Sequence, residues 1–362
     1  MTAGPEAPQP DPAALREDPA TWDAFVESAL TGAYTQLTAW ADVKQPNGWR
    51  SERIVAAGTG GPIGMQLLVR DLRPTPWRVG YAPRGPVGAF DRAAVGALTA
   101  EVRRVARDQR IVHVLIDPEV ESSHPLVGEL AAAGWTDSAG VQTPRTRLID
   151  LARPEEELWS DLRSKWRQYV NKARREGVTV EDVGAAGLDD FYRIYVETAE
   201  RAGFIHRARS AYEDVFRAFD RGGRARLLMA RLADGTAAAT LMLLQCGARV
   251  IEPYGGMTEA GADSRANYLL KWEAIRSSRE RDFAVYDMWG LSHAGIEQFK
   301  AGFGGREVTY VGGRALVVDR LGSAALGIAR KVSVARARRR HDLAGGGDAT
   351  LPSARRPCAS PP

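Results

Sequence analysis

Three short segments place glycine beside an aromatic ring or a fixed cation, a combination expected where the backbone approaches a bound molecule. They are Tyr-Ala-Pro-Arg-Gly-Pro-Val at 81–87, Tyr-Gly-Gly at 254–256 and Phe-Lys-Ala-Gly-Phe-Gly at 299–304. Glycine leaves room for close approach, and the prolines on both sides of Arg84-Gly85 restrict the first loop. The three segments are therefore predicted to hold a substrate.

The remaining reactive side chains form no recognisable catalytic or metal-binding pattern. The sequence has no Gly-x-Ser-x-Gly segment, and neither Cys246 nor Cys358 stands beside a candidate base. The histidines lack the spacing of metal ligands; those considered are His113, His124, His206 and His293. We expect no metal, no cofactor and no covalent enzyme intermediate, and the cysteine usage fits a reducing cytosol.

The composition is that of a soluble globular protein with two domains. The chain has 362 residues, 44% hydrophobic and 26% charged, and is too long for one compact core. Residues 1–19 lack the basic start and apolar stretch of a signal peptide, and the longest apolar run, 237–244, is far below the ~20 residues of a membrane span. We expect a cytoplasmic protein with disordered ends at 1–19 and 341–362.

One order of elements is predicted twice along the chain. The first copy has strands at 54–57, 65–71 and 77–81, a helix at 92–107, a strand at 111–117, a helix at 124–133 and a strand at 146–151. The second has strands at 225–232, 238–246 and 250–254, a helix at 264–281, a strand at 283–289, a helix at 293–301 and a strand at 307–311. This order predicts a mixed α/β fold with two similar domains and a ligand cleft between them. The predicted domains are 20–152, with 306–320 as a candidate to complete the first, and 153–305.

The motifs resemble those of the FemABX family, the tRNA-dependent aminoacyltransferases of peptidoglycan bridge formation. The resemblance covers 22–319 and rests on segments 36–44, 81–87, 165–177, 197–204, 254–256, 267–273, 286–290 and 299–300. It implies two tandem GNAT-like acyltransferase domains, in agreement with the repeated order of elements. Some members carry a long helical arm, and no stretch here has the length or heptad pattern for one.

The resemblance implies that an amino acid moves from the ester of an aminoacyl-tRNA to an amine of a peptidoglycan precursor. Such an attack needs an uncharged amine, a close approach and positive groups near the developing oxyanion. The family's Phe-Lys pair matches Phe299 and Lys300, so Lys300 is expected to stabilise the oxyanion or the departing ribose oxygen. A solvated helix lysine is the alternative.

Further residues are candidates for binding the acceptor. Lys44, with either Arg207 or Arg209 beside Tyr212, is expected to bind a diphosphate. Arg84 could hold a phosphate or a stem-peptide carboxylate, or pair with an acid of its own domain. Two more residues also have a functional and a structural alternative: Tyr254 could bind substrate or pack across the cleft, and Asp287 could accept a proton or only support the fold. Tyr81 is likewise expected to bind substrate.

A basic helix is predicted at 155–176, with an apolar face at Leu158, Leu162, Trp166, Tyr169 and Ala173. Its cations suit contact with an RNA backbone; they are Arg163, Lys165, Arg167, Lys172, Arg174 and Arg175. A second basic amphipathic helix, at 321–340, could lie on the inner face of the cell membrane, contact tRNA or fray.

Three rival functions stay open. A tRNA-dependent enzyme of natural-product biosynthesis would use the same donor. An acyl-CoA-dependent GNAT enzyme would need a Q/R-x-x-G-x-G/A phosphate loop, which neither half contains. An RNA-binding module would leave the aromatic and lysine segments without a purpose. The amino acid, the acceptor amine, the choice between UDP-linked and lipid-linked acceptors and the oligomeric state are not specified.

Overall fold

The computed structural model describes residues 11–291 and 294–324, and one compact unit extends as far as Val318. This unit contains two seven-stranded sheets. Within the described residues, no helix combines the length and the apolarity that crossing a bilayer demands.

The first sheet is built from the N-terminal part of the chain and one late strand. Its members are β1 Trp49–Gly58, β2 Gly61–Asp71, β3 Arg78–Ala82, β4 Val87–Gly88, β5 Ile111–Ile116, β6 Thr136–Asp137 and β14 Arg314–Val317, in the order β1-β2-β3-β5-β14-β6, with β4 paired to β2. The helices of this part are α1 Pro12–Glu17, α2 Pro19–Ser28, α3 Thr38–Lys44, α4 Arg92–Asp108 and α5 Leu126–Ala132.

The second sheet has the order β13-β7-β12-β11-β10-β9-β8. Its strands are β7 Arg145–Asp150, β8 Thr179–Asp182, β9 Ala225–Arg231, β10 Ala237–Cys246, β11 Arg249–Met257, β12 Val285–Asp287 and β13 Arg306–Thr309. Its helices are α6 Glu155–Asp161, α7 Ser164–Arg175, α8 Leu188–Ala202, α9 Arg209–Asp220, α10 Glu259–Asp263, α11 Ala266–Arg279 and α12 Ala294–Ala301.

Each sheet contains one parallel pair of strands among antiparallel ones. In the first sheet β3 pairs with β5 as far as Ala82 and Ile116, and in the second β11 pairs with β12 as far as Ile251 and Asp287. β11 then continues to Met257, so the backbone beyond this point is no longer bonded to β12. The predicted mixed α/β class with a repeated arrangement is confirmed.

The structure differs from the sequence prediction in which strand closes each sheet. The strand predicted at 146–151 to end the first copy is β7, which lies in the second sheet between β12 and β13. The first sheet is closed by β14, which lies within the segment 306–320 named above as a candidate to complete the first domain; β14 pairs with β5 and β6 and buries Leu316. The buried residues of β7 are Thr146 and Ile149, which lie on opposite faces of the strand, so the sequence pattern could not assign β7 to one sheet. The predicted domain boundaries themselves stay a prediction.

Part of the segment predicted to be disordered is helical. Asp11 and Asp18 accept hydrogen bonds from the first turns of α1 and α2, and each helix begins with a proline. Asp-Pro is a favourable start because the acid caps free amides and proline needs none. Leu15 of α1 is fully buried, so this segment belongs to the core.

The basic helix predicted at 155–176 is two helices. Leu162 has an extended backbone between α6 and α7, and the Arg167 guanidinium donates to the carbonyls of Ser160 and Leu162 at the break. Leu158 and Leu162 are both buried, so the break lets both pack into the core. Most of the helix predicted at 321–340, and all of 341–362, lie outside the described residues.

A shared apolar core joins the two halves of the compact unit. One cluster contains Trp22 and Tyr34 from the first half and Phe191, Phe216 and Phe219 from the second. Aromatic rings of this size contribute large buried areas, so groups carried by different sheets keep fixed positions relative to one another.

Candidate active site

The site is organised around a strained turn that follows β12. Trp289 has φ +53° and Gly290 has φ +22°, and the Trp289 N–H donates to Asp287 Oδ1 over 2.8 Å. A positive φ is unfavourable for a residue with a side chain. The turn therefore needs external support, which comes from α12.

Lys300 supplies that support with all three of its donors. Its Nζ donates to the carbonyls of Met288 (2.5 Å), Trp289 (2.5 Å) and Gly290 (3.1 Å). An ammonium group has three N–H bonds, so none is left over in this arrangement. The predicted reactive lysine thus fixes the turn and is not a solvated helix residue.

The charged groups around Lys300 are a second lysine and two carboxylates. Burial lowers the pKa of Lys300 to about 8, and nearby Lys271 acts in the same direction, while Glu252 and Asp287 oppose the shift. Glu252 Oε1 lies 3.9 Å from Lys300 Nζ but already forms an ion pair with Lys271, and Glu252 Oε2 accepts a hydrogen bond from the Tyr286 hydroxyl over 2.6 Å. Two lysines thus share one carboxylate.

Trp289 connects this turn with residues of the first half. Its ring centre is 5.5 Å from that of Tyr34 and 4.8 Å from the Arg84 guanidinium. Tyr34 in turn packs on Trp40 at 5.4 Å. The sequence analysis did not single out Trp289 or Tyr34, although Trp-Gly directly after a strand was an available signal for a special turn.

Arg84 is buried and pairs within its own half of the chain. Its Nε lies 3.2 Å from Glu119 Oε1, and its Nη2 donates to the Thr143 carbonyl over 2.9 Å. The Arg84 N–H donates to Asp117 Oδ1, whose other oxygen accepts from the Tyr81 hydroxyl over 2.8 Å. Of the two alternatives for Arg84, the structure shows the ion pair, and both Arg84 and Tyr81 support their loop.

Asp287 is fully enclosed at the root of the turn. Its Oδ1 accepts from the Thr146 hydroxyl (2.5 Å) as well as from the Trp289 amide, and its Oδ2 lies 3.9 Å from Arg249 Nη1. These contacts favour the structural alternative for Asp287 over proton transfer from an amine.

Lys44 and Arg207 form a second, differently charged cluster, which we call the cation pair. Lys44 ends α3 with Nζ 4.1 Å from the centre of the Trp40 ring. Burial, and then the charge of Arg207, lower the pKa of Lys44 to about 8, and no acid opposes them. Among the residues that the structure describes, neither cation has a carboxylate within 4 Å. Two like charges without a counterion favour an anionic ligand.

Arg209 differs from Arg207 in this respect. It forms ion pairs with Glu213 (2.6 Å) and Asp189. The Arg207 N–H instead donates to the hydroxyl of buried Tyr212 over 3.0 Å, which fixes the loop and leaves the guanidinium without an acid among the described residues. The structure thus favours Arg207 as the partner of Lys44.

Tyr254 lies beside this cluster, where the pairing of β10 with β11 shifts register. Its ring is 5.2 Å from Tyr212 and 6.1 Å from Tyr195. Burial raises the pKa of Tyr254 to about 12, while the charge of Arg207 opposes the increase. The phenol therefore remains a neutral donor, half-buried at the edge of the cation pair.

The glycines of the three opening segments serve packing within the protein. A Cβ at Gly256 would lie 2.5 Å from Thr198 Oγ1 of α8, and one at Gly255 would lie 2.4 Å from a Leu241 methyl. A Cβ at Gly302 would lie 2.2 Å from Trp166 Nε1, which donates to the carbonyl of Phe299. Internal packing thus accounts for these glycines, and the expectation that the three segments hold a substrate stays a prediction.

Phe299 also belongs to this packing. Its ring lies 5.2 Å from Tyr268 and 5.3 Å from Phe303. It therefore holds α12 in place while its neighbour Lys300 reaches the turn.

The helix start that follows β11 is already capped. Thr258 Oγ1 accepts from the Gly261 N–H, and the carboxylate of Glu197 accepts from the Glu259 N–H, both over 3.0 Å. A pyrophosphate bound at a helix start needs such amides and is repelled by an acid. This geometry disfavours an acyl-CoA donor at this place.

The predicted RNA-binding cations divide into two groups. Arg167 caps α6, Lys172 lies 3.5 Å from Glu176, and Arg174 lies 2.8 Å from Glu273. The exposed members without an acid partner in the described part are Arg163, Lys165 and Arg175. The described residues also contain no cluster of three or more side chains fit to hold a metal ion.

Comparison with known proteins gives two family matches. Residues 18–131 match the FemAB family, and residues 160–301 match the acetyltransferase (GNAT) domain. The chain is 28% identical over 222 residues to a lipid II:glycine glycyltransferase of Staphylococcus haemolyticus, and 29% identical over 222 residues to one of Staphylococcus aureus. Each alignment covers 58% of this chain and 53% of the relative, so the chain spans about half the length of the curated relatives it matches.

Solved structures support the same fold. The crystal structure of FemX superposes with a TM-score of 0.77 at 22% identity, over 83% of this chain and 96% of that one. A tandem GNAT protein of the clavulanic acid biosynthesis pathway gives a TM-score of 0.52 at 13% identity, over 83% and 95%. At these identities the likeness concerns the fold, and it confirms the predicted tandem GNAT-like arrangement.

Proposed function

From the matches of residues 18–131 to the FemAB family and of residues 160–301 to the GNAT domain, we propose that this chain is an aminoacyltransferase that acts on a peptidoglycan precursor. The donor is an aminoacyl-tRNA and the acceptor is an amine of a muropeptide carried on a diphosphate. The curated relatives are named for glycine and lipid II, so glycyl-tRNA and a lipid-linked muropeptide are the first pair to test.

The observation that carries this proposal is the cation pair. Many of the described arginines lie within reach of an acid, whereas neither Lys44 nor Arg207 forms an ion pair in the described part, and the charge of Arg207 lowers the pKa of Lys44. A diphosphate would supply the missing negative charge, and charge-assisted bonds to its oxygens are stronger than neutral ones. A neutral or cationic ligand would leave the two cations uncompensated.

The proposed reaction places few demands on the protein. The acceptor nitrogen attacks the ester carbon, the bond to the ribose oxygen breaks, and the proton of the amine leaves with that oxygen. Lys300 orders the Trp289 turn and, with Lys271, contributes positive charge near the developing oxyanion. The buried, hydrogen-bonded Asp287 is not used as a base.

We assign contact with the aminoacyl-tRNA to exposed cations at α7. Arg163, Lys165 and Arg175 have no internal acid partner in the described part and could contact RNA phosphates. Contacts of this kind depend on salt and not on base sequence.

The test is a transfer assay that varies donor and acceptor separately. Charged tRNA pools and acyl-CoA are each combined with UDP-linked and lipid-linked muropeptides, and products are identified by mass spectrometry. We expect one aminoacyl residue to be added to the muropeptide from charged tRNA. Transfer from acyl-CoA alone would contradict the proposal, and aminoacylation of an unrelated amine alone would favour the natural-product alternative.

A further inference from the structure

The loop at 203–208, between α8 and α9, exposes apolar side chains beside the cation pair. Ile205 is 99% exposed and Phe204 is 41% exposed, and Arg207 follows within two residues. A single exposed isoleucine is unremarkable in itself. Ile205 differs because it lies beside the cation pair and because both ends of its loop are anchored.

The loop is anchored at both ends. The Phe204 N–H donates to the Ala199 carbonyl over 3.1 Å, and the Phe204 ring lies 5.7 Å from that of Tyr195. At the other end the Arg207 N–H donates to Tyr212, and the Tyr192 hydroxyl donates to the Arg207 carbonyl over 3.3 Å. Ile205 is therefore presented to solvent by a fixed backbone.

The composition of the loop matches a membrane–water interface. The segment Gly-Phe-Ile-His-Arg-Ala-Arg at 203–209 contains no acid, and the tyrosines behind it are Tyr192, Tyr195, Tyr212 and Tyr254. An exposed apolar side chain can enter the interfacial region of a bilayer, and arginines next to it are attracted by anionic lipids. An anionic bilayer would satisfy both the apolar and the cationic parts.

We propose that loop 203–208 inserts Ile205 into the surface of an anionic bilayer, so that the diphosphate of a lipid-linked muropeptide meets Lys44 and Arg207. This inference rests on the proposed function. In a lipid-linked acceptor the diphosphate is joined directly to a hydrocarbon chain in the bilayer, so apolar contact and cation pair must be adjacent. A UDP-linked acceptor has no hydrocarbon chain at this position, so Ile205 would make no apolar contact with it.

Vesicle binding tests the loop without any substrate. The full chain is mixed with phosphatidylglycerol–phosphatidylcholine vesicles and the bound fraction is measured by sedimentation. Ile205→Ser should lower the partition coefficient about tenfold or more, since it removes most of the apolar surface that the side chain would bury in the bilayer. Ile205→Leu should retain binding, and so should the matched control Leu30→Ser, because Leu30 is 98% exposed but lies after α2.

Transfer assays then test selection of the acceptor. With one muropeptide offered in both forms, Ile205→Ser should raise KM several-fold for the lipid-linked form in vesicles and leave KM for the UDP-linked form unchanged. Equal effects of Ile205→Ser and Leu30→Ser on vesicle binding would overturn the inference. Equal loss with both acceptors, or weaker binding of charged tRNA without vesicles, would assign the loop to another partner and also overturn it.

The two proposals fail in different ways. A wild-type protein that transfers to neither acceptor refutes the proposed function, whereas the vesicle result still decides the role of the loop. A protein that transfers to the UDP-linked form but ignores vesicles retains the function and loses the inference.

Discussion

Buried Arg84 and Glu119, together with Arg249, form a group that we call the Arg84 cluster. The Arg84 cluster and the cation pair both contain basic side chains, but only the Arg84 cluster contains a carboxylate that balances them. Arg84 is buried against Glu119, which also pairs with Arg249. Lys44 and Arg207 form no ion pair with an acid among the described residues, and the charge of Arg207 lowers the pKa of Lys44. A buried cation with its own carboxylate supports the fold, whereas cations without one are available for a ligand. Charge balance thus separates supporting residues from candidate binding residues.

The largest expected effect is on stability at the Arg84 cluster. Arg84→Ala should lower the free energy of unfolding by about 3–5 kcal/mol, because it removes one of the two arginines that pair with the buried carboxylate of Glu119. Urea unfolding measures this loss. Arg50→Ala is the control: its ion pair with Asp71 is exposed at 3.4 Å and should be worth less than about 1 kcal/mol. Equal losses of unfolding free energy for Arg84→Ala and Arg50→Ala would show that the buried ion pair is worth no more than the exposed one.

Lys300→Met should impair turnover and stability together. It removes the support of the Trp289 turn and a positive charge near the oxyanion, so kcat should decrease about 10²–10³-fold. The unpaired carbonyls should also cost about 2 kcal/mol or more of unfolding free energy. Steady-state kinetics and urea unfolding are compared on the same preparation. Turnover that stays near the wild-type value would remove Lys300 from the reaction.

Arg207→Ala should affect the acceptor and not the fold. Loss of a charge-assisted contact, worth about 1.5–3 kcal/mol, should raise KM for a diphosphate-linked muropeptide roughly 10–100-fold. Thermal stability should stay the same or rise, because a repulsion is removed. The matched variant Arg209→Ala breaks only internal ion pairs and should leave KM near the wild-type value. The reverse ranking of the two variants would show that the wrong arginine was chosen.

A pH dependence of acceptor binding is the smallest expected effect. The pKa of Lys44 in the free protein is lowered from its unfolded value to about 8, so the charged form is lost as pH rises through 8. Acceptor KM should therefore increase between pH 7 and 9. Between pH 8 and the higher unfolded pKa, the unfolded chain binds the extra proton, so this residue adds stability as pH rises. Lys44→Arg should flatten the KM profile; an unchanged profile would exclude Lys44.

Much of the fold could be predicted from periodicity, but its closure could not. The mixed α/β order was recognisable because each strand and helix has its own apolar pattern. Whether β7 or β14 joins the first or the second sheet depends on pairing between distant segments, and the apolar pattern of a strand does not specify its partner. Helix α1 was missed because the prolines around it were interpreted as disorder, although Asp11-Pro12 at its start was a capping signal.

The candidate site shows the same limit. Sequence alone could not choose between Arg207 and Arg209, nor between a ligand and an internal acid for Arg84, since the partner of an arginine is decided in three dimensions. The family resemblance identified Lys44 and Lys300, but it could not reveal that the Lys300 ammonium is occupied by three carbonyls. Likewise, glycines that pack against Thr198 or Trp166 cannot be told from glycines that admit a ligand.

Calorimetric titration with a UDP-linked muropeptide, and with the same muropeptide lacking the diphosphate, tests the central claim most directly. We expect wild-type protein and Arg209→Ala to bind the diphosphate form at least tenfold more tightly, and the double variant Lys44→Ala/Arg207→Ala to bind both forms equally weakly. If the double variant, with its thermal stability intact, still prefers the diphosphate form by the wild-type factor, the cation pair is not the acceptor site.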